Sequence, residues 1–151
     1  MEAKFNDATP QRPAGERPLD APLVVANLPA LLQQLRGEPA WAGGDRNAIT
    51  LFKTTGLTIT LVALRAGGAL DAHIEEGILT LHLLEGRLRL VGGPEGPPAT
   101  LAAGQLLAVH AGLSYQVVAT EAEVVLLLTL AGQVRPPEAG GAPGALKAGS
   151  T

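Results

Sequence analysis

The stretch that decides the fold is GGALDAHIEEGILTLHLLEGRLRL, residues 67–90. Residues 78–84 form an apolar run, which is typical of a strand lying deep in a sandwich or barrel. Glu85-Gly86 interrupts this run, and residues 87–90 then alternate charged and apolar side chains. A period of two is the mark of a half-buried strand. The stretch therefore predicts consecutive short strands joined by a tight turn.

Two potential functional residues, His73 and Glu75, lie just before the apolar run. In a strand, residues two apart point to the same face. This pair carries most of the chemistry that the sequence offers. The same alternation, counted from Leu79, places His82 on the opposite face from Leu79, which predicts a position at the surface or at a subunit interface.

The strand pattern extends through most of the chain. The predicted strands are 47–53, 57–65, 69–74, 79–84, 87–91, 100–102, 105–109, 115–120 and 123–130. In the second of these, Thr58 and Thr60 lie on the face opposite to the apolar one. The last, EVVLLLTL, is apolar on both faces and is expected to be central and covered on both sides. About nine short strands without intervening helices predict an all-β sandwich or barrel.

One helix is predicted over NLPALLQQLRG, from Asn27 to Gly37. Asn27 is a suitable N-cap, and Pro29 is tolerated in the first turn. The apolar residues follow helical spacing and form one stripe: Leu28, Leu31, Leu32 and Leu35. We expect this stripe to pack on the outside of a sheet or on a partner subunit, with Trp41, the only tryptophan, anchoring the segment.

Composition limits the possible partners and the location of the protein. The chain has 151 residues, no cysteine and a formal net charge of −3, with no basic cluster. Disulfides and thiolate chemistry are therefore excluded, and a nucleic-acid partner is not expected. No apolar run approaches the roughly 18 residues of a membrane span, and the first residues lack the apolar core of a secretory signal. A cytoplasmic location without a membrane partner is the expectation.

The chain is expected to have three parts. Residues 1–20 are rich in Pro and charged residues and are predicted to be a disordered arm. Residues 21–131 hold all the predicted helix and strands and form the barrel domain. Residues 132–151 are rich in Gly and Pro and are predicted to be a disordered tail.

Residues 67–130 resemble a cupin, a small jelly-roll family defined by two short motifs. The frame of the first motif fits Gly67, His73-x-Glu75, Leu79 and Gly86, with Glu75 in place of the second His and Leu79 in place of the Glu. The frame of the second motif fits Gly104, His110-x-Gly112, Tyr115 and Ala119. In that motif His110 replaces the Pro, Tyr115 the His and Ala119 the Asn. Residues 41–53 also resemble the segment that leads into the barrel in certain small single-domain cupins of unassigned activity.

The resemblance implies a cupin-type double-stranded β-helix of the RmlC-like kind, a jelly-roll barrel with one short N-terminal helix, that forms a homodimer. The four metal-ligand positions of the family correspond to His73, Glu75, Leu79 and Tyr115, and these four residues are expected to line a pocket in the barrel. Of the family's ligands only His73 is retained, and Leu79 offers no lone pair.

Two arrangements of the site remain open at this point. His73, Glu75 and Tyr115 are able to hold a divalent metal, because imidazole, carboxylate and phenolate all bind first-row metals. Alternatively, the three form a hydrogen-bonded polar patch in the barrel mouth. His110 is expected at a solvated turn, with replacement of a missing ligand as its alternative role.

Three functions remain open, and the sequence does not decide whether the protein is an enzyme. The favoured one is a cupin of unassigned activity that binds a small molecule in the barrel, with a weak metal site or none. The second is a metal-dependent cupin enzyme of the isomerase or oxygenase type. The third is a non-enzymatic regulatory or interaction protein whose helix face and tails dock another chain.

Overall fold

The structure of the protein is a computed structural model that describes residues 4–6, 17–73, 76–91 and 99–132, with the backbone alone for 4–6, 72 and 73. This part of the chain forms two helices and eleven strands. The helices are α1 (Leu28–Gly37) and α2 (Pro39–Ala42). The strands are β1 (Lys4–Asn6), β2 (Arg17–Asp20), β3 (Arg46–Thr54), β4 (Leu57–Leu64), β5 (Ala69–His73), β6 (Ile78–Glu85), β7 (Arg87–Val91), β8 (Ala99–Ala102), β9 (Leu106–His110), β10 (Ser114–Ala119) and β11 (Val124–Ala131).

Two antiparallel sheets make the body of the fold. One has four strands in the order β5-β10-β7-β8, and the other has five in the order β3-β4-β11-β6-β9. Several neighbouring strands are far apart in sequence, such as β4 and β11 or β5 and β10, as in a jelly roll. All nine predicted strands are present with ends shifted by a residue or two. The buried side chains between the sheets form the barrel core: Val62, Leu64, Leu70, Leu79, Leu81, Leu83, Leu88, Leu101, Val109, Val117, Ala119, Val124, Leu126 and Leu128.

Strand β11 is the centre of the five-stranded sheet and pairs with both β4 and β6. Leu126 and Leu128 point into the barrel core, whereas Val125 and Leu127 belong to a second apolar cluster on the outer face of the sheet. The prediction that this strand is central and covered on both faces is confirmed.

Helix α1 covers that outer face. It begins at its expected cap, where the backbone N–H of Ala30 donates to Asn27 Oδ1 at 3.2 Å. Leu35 on its apolar stripe is fully buried. The sheet residues beneath the stripe are Ile49, Leu51, Leu61 and Val125. The predicted helix is therefore confirmed, and it packs on the outside of a sheet. The four-residue helix α2 was not predicted from the sequence.

Polar contacts fasten the helical segment to the barrel at separate points. The Nη2 of Arg36 in α1 donates to Glu123 at 2.8 Å and to Glu85 at 3.4 Å. Further along, the Arg65 guanidinium carbon lies 4.1 Å from the ring centroid of Trp41, and Arg65 Nη2 donates to the Trp41 carbonyl at 3.1 Å. Trp41 is buried, so its predicted role as an anchor of this segment is confirmed.

The glycines that set the spacing of the two cupin motifs lie at tight turns. Gly67, Gly86, Gly104 and Gly112 all have positive φ. The turn at Gly104 is tied to the neighbouring strand, because its N–H donates to the Leu83 carbonyl at 2.7 Å. This spacing therefore reflects the lengths of strands between fixed turns.

The N-terminal region differs from its prediction. Strands β1 and β2 lie within the stretch predicted to be a disordered arm, and β2 lies beside β3. Asp20 at the end of β2 is buried, so at least residues 17–20 pack with the domain. The remaining residues of that predicted arm, and residues 133–151 of the predicted tail, lie outside the described residues. None of the helices that the structure describes has the length and apolar character needed to cross a bilayer.

Candidate site at the open end of the barrel

The two ends of the barrel differ in burial. In β4, Val62 and Leu64 are buried, but Thr58 and Thr60 on the same inward face are only half-buried. Strand β11 runs antiparallel to β4, and Leu130, which pairs with Thr58, is likewise half-buried. The barrel is therefore closed at the Leu64 end and open at the Thr58 end.

Tyr115 lies on the inner face at the beginning of β10. It is half-buried and packs against the barrel core, on the same face as the buried Val117. Its backbone pairs with Ala72 of β5. The connection that precedes β10 begins after His110, the residue that follows Val109, and Val109 pairs with Leu79. Tyr115 and Leu79 are therefore both close to the same connection.

Leu79 lies in the interior, as the alternation of β6 predicts. It pairs with Leu130 on one side and Val109 on the other and is 1% exposed. Its side chain supplies only carbon atoms to the region where the cupin motif has a carboxylate. This part of the barrel is an apolar floor.

The structure leaves the other two predicted site residues untested. The backbone of His73 ends β5 and pairs with Ser114, immediately next to the pair formed by Ala72 and Tyr115. The side chain of His73 and all of Glu75 lie outside the described residues. The grouping of His73, Glu75 and Tyr115 at the barrel mouth stays a prediction.

The described ligand positions do not fit a cupin metal centre. Leu79 has no donor atom, and the Tyr115 phenol must lose a proton before it binds a metal as phenolate. Within the described ranges no group of three His, Asp or Glu residues is placed to hold an ion.

The other two histidines lie on the outer face of the five-stranded sheet. His82 pairs with Leu127, which packs beneath α1, so the predicted orientation of His82 away from the barrel interior is confirmed. His110 is exposed, as predicted, but it ends β9 rather than occupying a turn, and it pairs with Ile78. Its neighbour Val109 takes the inner face. The alternative role of His110 as a replacement ligand inside the barrel is therefore wrong.

Polar residues on the inner face of β3 and β4 were not identified as candidates from the sequence. Thr58 pairs with Lys53, and Thr60 pairs with Thr50, at the open end. The sequence did place Thr58 and Thr60 on one face, but it did not indicate that this face is the interior. A signal that the threonine face is the interior was present in the other face of β4. The apolar residues of that other face match the apolar stripe of α1 and therefore face the helix.

The fold is the cupin-type double-stranded β-helix, which confirms the predicted all-β jelly-roll barrel. A cupin-2 domain protein from Shewanella frigidimarina is similar, with a TM-score of 0.54, 15% identity and coverage of 74% of this chain and 95% of that one. A conserved protein with a double-stranded β-helix domain from Klebsiella pneumoniae gives a TM-score of 0.55 at 16% identity, covering 70% of this chain and 86% of that one. An RmlC-like cupin family protein from Methanocaldococcus jannaschii gives a TM-score of 0.52 at 15% identity, covering 58% of this chain and 80% of that one.

These similarities define a cupin-fold domain, and they concern the fold alone. The sequence itself matches no protein-family model and no curated protein.

Proposed function

We propose that this cupin-fold protein binds a small molecule at the open end of its barrel, against Tyr115, and that binding does not require a metal ion. The observation that carries the proposal is the position of Tyr115. Its ring packs on the barrel core, yet the residue keeps partial exposure at the end where the inner faces of β4 and β11 lose burial.

The chemistry of this end suits a small organic ligand. Leu79, Leu130 and Val109 form a continuous apolar row across the five-stranded sheet. Tyr115 adds a hydroxyl group that both donates and accepts hydrogen bonds. Apolar walls with a few polar groups are typical of small-molecule sites.

The chain contains its own pair of reporters for this proposal. Tyr115 is the only tyrosine and packs on the barrel core, and Trp41 is the only tryptophan and lies in α2, outside that core. In NMR spectra of the full chain, a set of small metabolites should therefore include compounds that shift the Tyr115 ring signals while leaving the Trp41 indole signal in place. Compounds that shift only Trp41, or a complete lack of response at Tyr115, would contradict the proposal.

A matched pair of variants then separates binding from folding. Tyr115→Phe keeps the packing of the ring and removes the hydroxyl, and Tyr115→Ala removes both. We expect the affinity for a compound found in the first experiment to fall in both, and more in Tyr115→Ala. An affinity that is unchanged in both variants would place the ligand elsewhere.

Metal analysis tests the second part of the proposal. The wild type and the His73→Ala variant are both purified without chelator and supplemented with divalent metals. We expect ligand binding to persist after treatment with EDTA and to be equally strong in the wild type and in His73→Ala. A stoichiometric metal that is lost in His73→Ala, together with EDTA-sensitive binding, would favour the metal-dependent enzyme instead.

A further inference from the structure

Four polar residues form a patch on the inner face at the open end of the barrel. Residues that pair directly across antiparallel strands project from the same face of a sheet. Thr60 pairs with Thr50 and with the core residue Leu128, and Thr58 pairs with Lys53 and with Leu130. Lys53, Thr50, Thr58 and Thr60 thus share the barrel side of the sheet, and we call them the polar patch.

A β-bulge explains why Lys53 belongs to this patch. The register of β3 shifts between Thr50 and Phe52, so that Leu51 is the additional residue. Leu51 and the preceding Ile49 both pack under α1. Simple alternation would place Phe52 inside and Lys53 outside, whereas the bulge returns Lys53 to the inner face. Bulges commonly re-aim side chains in this way.

The polar patch lacks protein partners within the described ranges. Lys53 is exposed and forms no ion pair there, and no side-chain hydrogen bond engages the three threonine hydroxyls. Several described carboxylates are engaged elsewhere, since Glu85 and Glu123 bind Arg36 and Asp45 binds Arg46. An ammonium group beside hydroxyl donors, next to an apolar floor, matches a ligand with an anionic head and an organic body.

We infer that the polar patch binds the carboxylate or phosphate group of the small molecule, with Lys53 as the cation and the hydroxyls of Thr58 and Thr60 as hydrogen-bond donors. The inference rests on the proposed function and assigns a chemical class to its ligand. The body of that ligand extends from Leu130, which is half-buried, toward Tyr115, which is also half-buried.

The test uses the full chain with inorganic phosphate and succinate as probes, followed by amide NMR shifts. We expect the amide signals of Lys53 and Thr58 to shift on addition of at least one of the two anions. The anion that causes the larger shifts is the preferred one. Lys53→Gln should weaken binding about tenfold or more, because a hydrogen bond to a charged group is lost. The matched control is Arg89→Gln, which removes an exposed cation from β7 on the other sheet and should change binding less than about twofold because surface charges are screened.

A second pair of variants tests the hydroxyls. Thr58→Val and Thr60→Val retain the β-branched shape, and Thr129→Val makes the same change on the outer face of β11, where Thr129 pairs with Thr80. We expect weaker anion binding in Thr58→Val and Thr60→Val, and unchanged anion binding in Thr129→Val. Circular dichroism melts of all the variants check that they fold.

The outcomes separate this inference from the proposed function. Equal weakening by Lys53→Gln and Arg89→Gln, or anion shifts that avoid Lys53 and Thr58, would overturn the inference. If neutral compounds shift Tyr115 while anions do not act at the polar patch, the inference fails and the proposed function stands. If no compound of either kind shifts Tyr115, both fail.

Discussion

The side-chain amide of Asn47 in β3 donates a hydrogen bond to the carbonyl oxygen of Leu35, in the last turn of α1, at 3.0 Å. The same Nδ2 donates to Glu38 Oε1 at 2.8 Å, and Oδ1 accepts from the N–H of Ala48 at 2.9 Å. Carbonyl groups at the end of a helix lack partners within the helix. Asn47 therefore caps α1 from the barrel and fixes the helix on the sheet.

Replacement of this amide should destabilise the protein. Asn47 is buried, so Asn47→Ala leaves polar groups of Leu35 and Glu38 without this donor. We expect a loss of about 1–3 kcal/mol in the free energy of unfolding, measured by urea denaturation. Gln34→Ala is the control, because Gln34 also donates to Glu38, at 3.2 Å, but from a less buried position, and should cost less. Equal losses in the two variants would contradict the capping role of Asn47.

The contact between Arg65 and Trp41 provides a second prediction. Arg65→Lys keeps the charge but loses the planar group that stacks on the indole and donates to the Trp41 carbonyl. We expect a loss of about 0.5–1.5 kcal/mol and a change in the emission of Trp41, the only tryptophan. Arg87→Lys, at an exposed position of β7, should leave both quantities unchanged. Unaltered emission in Arg65→Lys would argue against the stacked geometry.

Two glycines allow conformational strain to be separated from steric overlap. Gly86 and Gly104 have nearly the same φ, +88° and +92°. A Cβ at Gly86 would lie 2.6 Å from a methyl carbon of Val124, whereas a Cβ at Gly104 meets nothing within 4 Å. Gly104→Ala should therefore cost about 1 kcal/mol from the left-handed backbone alone, and Gly86→Ala should cost more because packing is also disturbed. Thermal and urea melts give both values, and a smaller loss at Gly86 would contradict the close approach of Val124 to this turn.

The ion pair of Asp45 and Arg46 makes a contribution to stability that depends on pH. Arg46 donates to Asp45 through Nε at 2.9 Å and Nη2 at 3.2 Å, and this hydrogen bonding holds the pKa of the Asp45 carboxyl below its ordinary value. Because the folded state favours the carboxylate, the contribution to stability is present above the unfolded pKa and is lost as pH falls through the folded pKa. The contribution is small, since Asp45 is exposed.

An NMR titration of the Asp45 carboxyl carbon measures this shift. In Arg46→Gln we expect the pKa to rise toward the ordinary aspartate value. Arg89→Gln, which removes an exposed cation from β7, should leave it in place. Equal pKa values in the wild type and in Arg46→Gln would show that the ion pair does not form in solution.

The strands were predictable because one physical rule governs them. Side chains alternate between solvent and core, and the sequence shows this alternation clearly in residues 87–90 and its loss in the doubly covered β11. The helix was equally clear from its cap at Asn27 and its leucine stripe. Arg17–Asp20 carries no such alternation, and its strand depends on a position beside β3 that local sequence does not encode.

The candidate site was only partly predictable, for a different reason. The motif frame pointed to Tyr115 and Leu79, and both lie on the inner face. Lys53 was not identified, because consecutive apolar residues at Leu51 and Phe52 hide the bulge that shifts the alternation of β3. A single additional residue in a strand reverses the faces of all residues after it, and composition gives no sign of it.

The packing of α1 has a practical consequence for shortening the chain. A cut immediately before β3, at the apparent start of the barrel, would remove α1 and uncover Ile49, Leu61 and Val125 on the surface of a sheet. Such a fragment would expose this apolar surface to solvent and self-associate, although every strand of both barrel sheets would be present. Strand β2 also packs beside β3, so the smallest autonomous unit begins no later than Arg17, and trimming for crystallisation belongs on the N-terminal side of that residue.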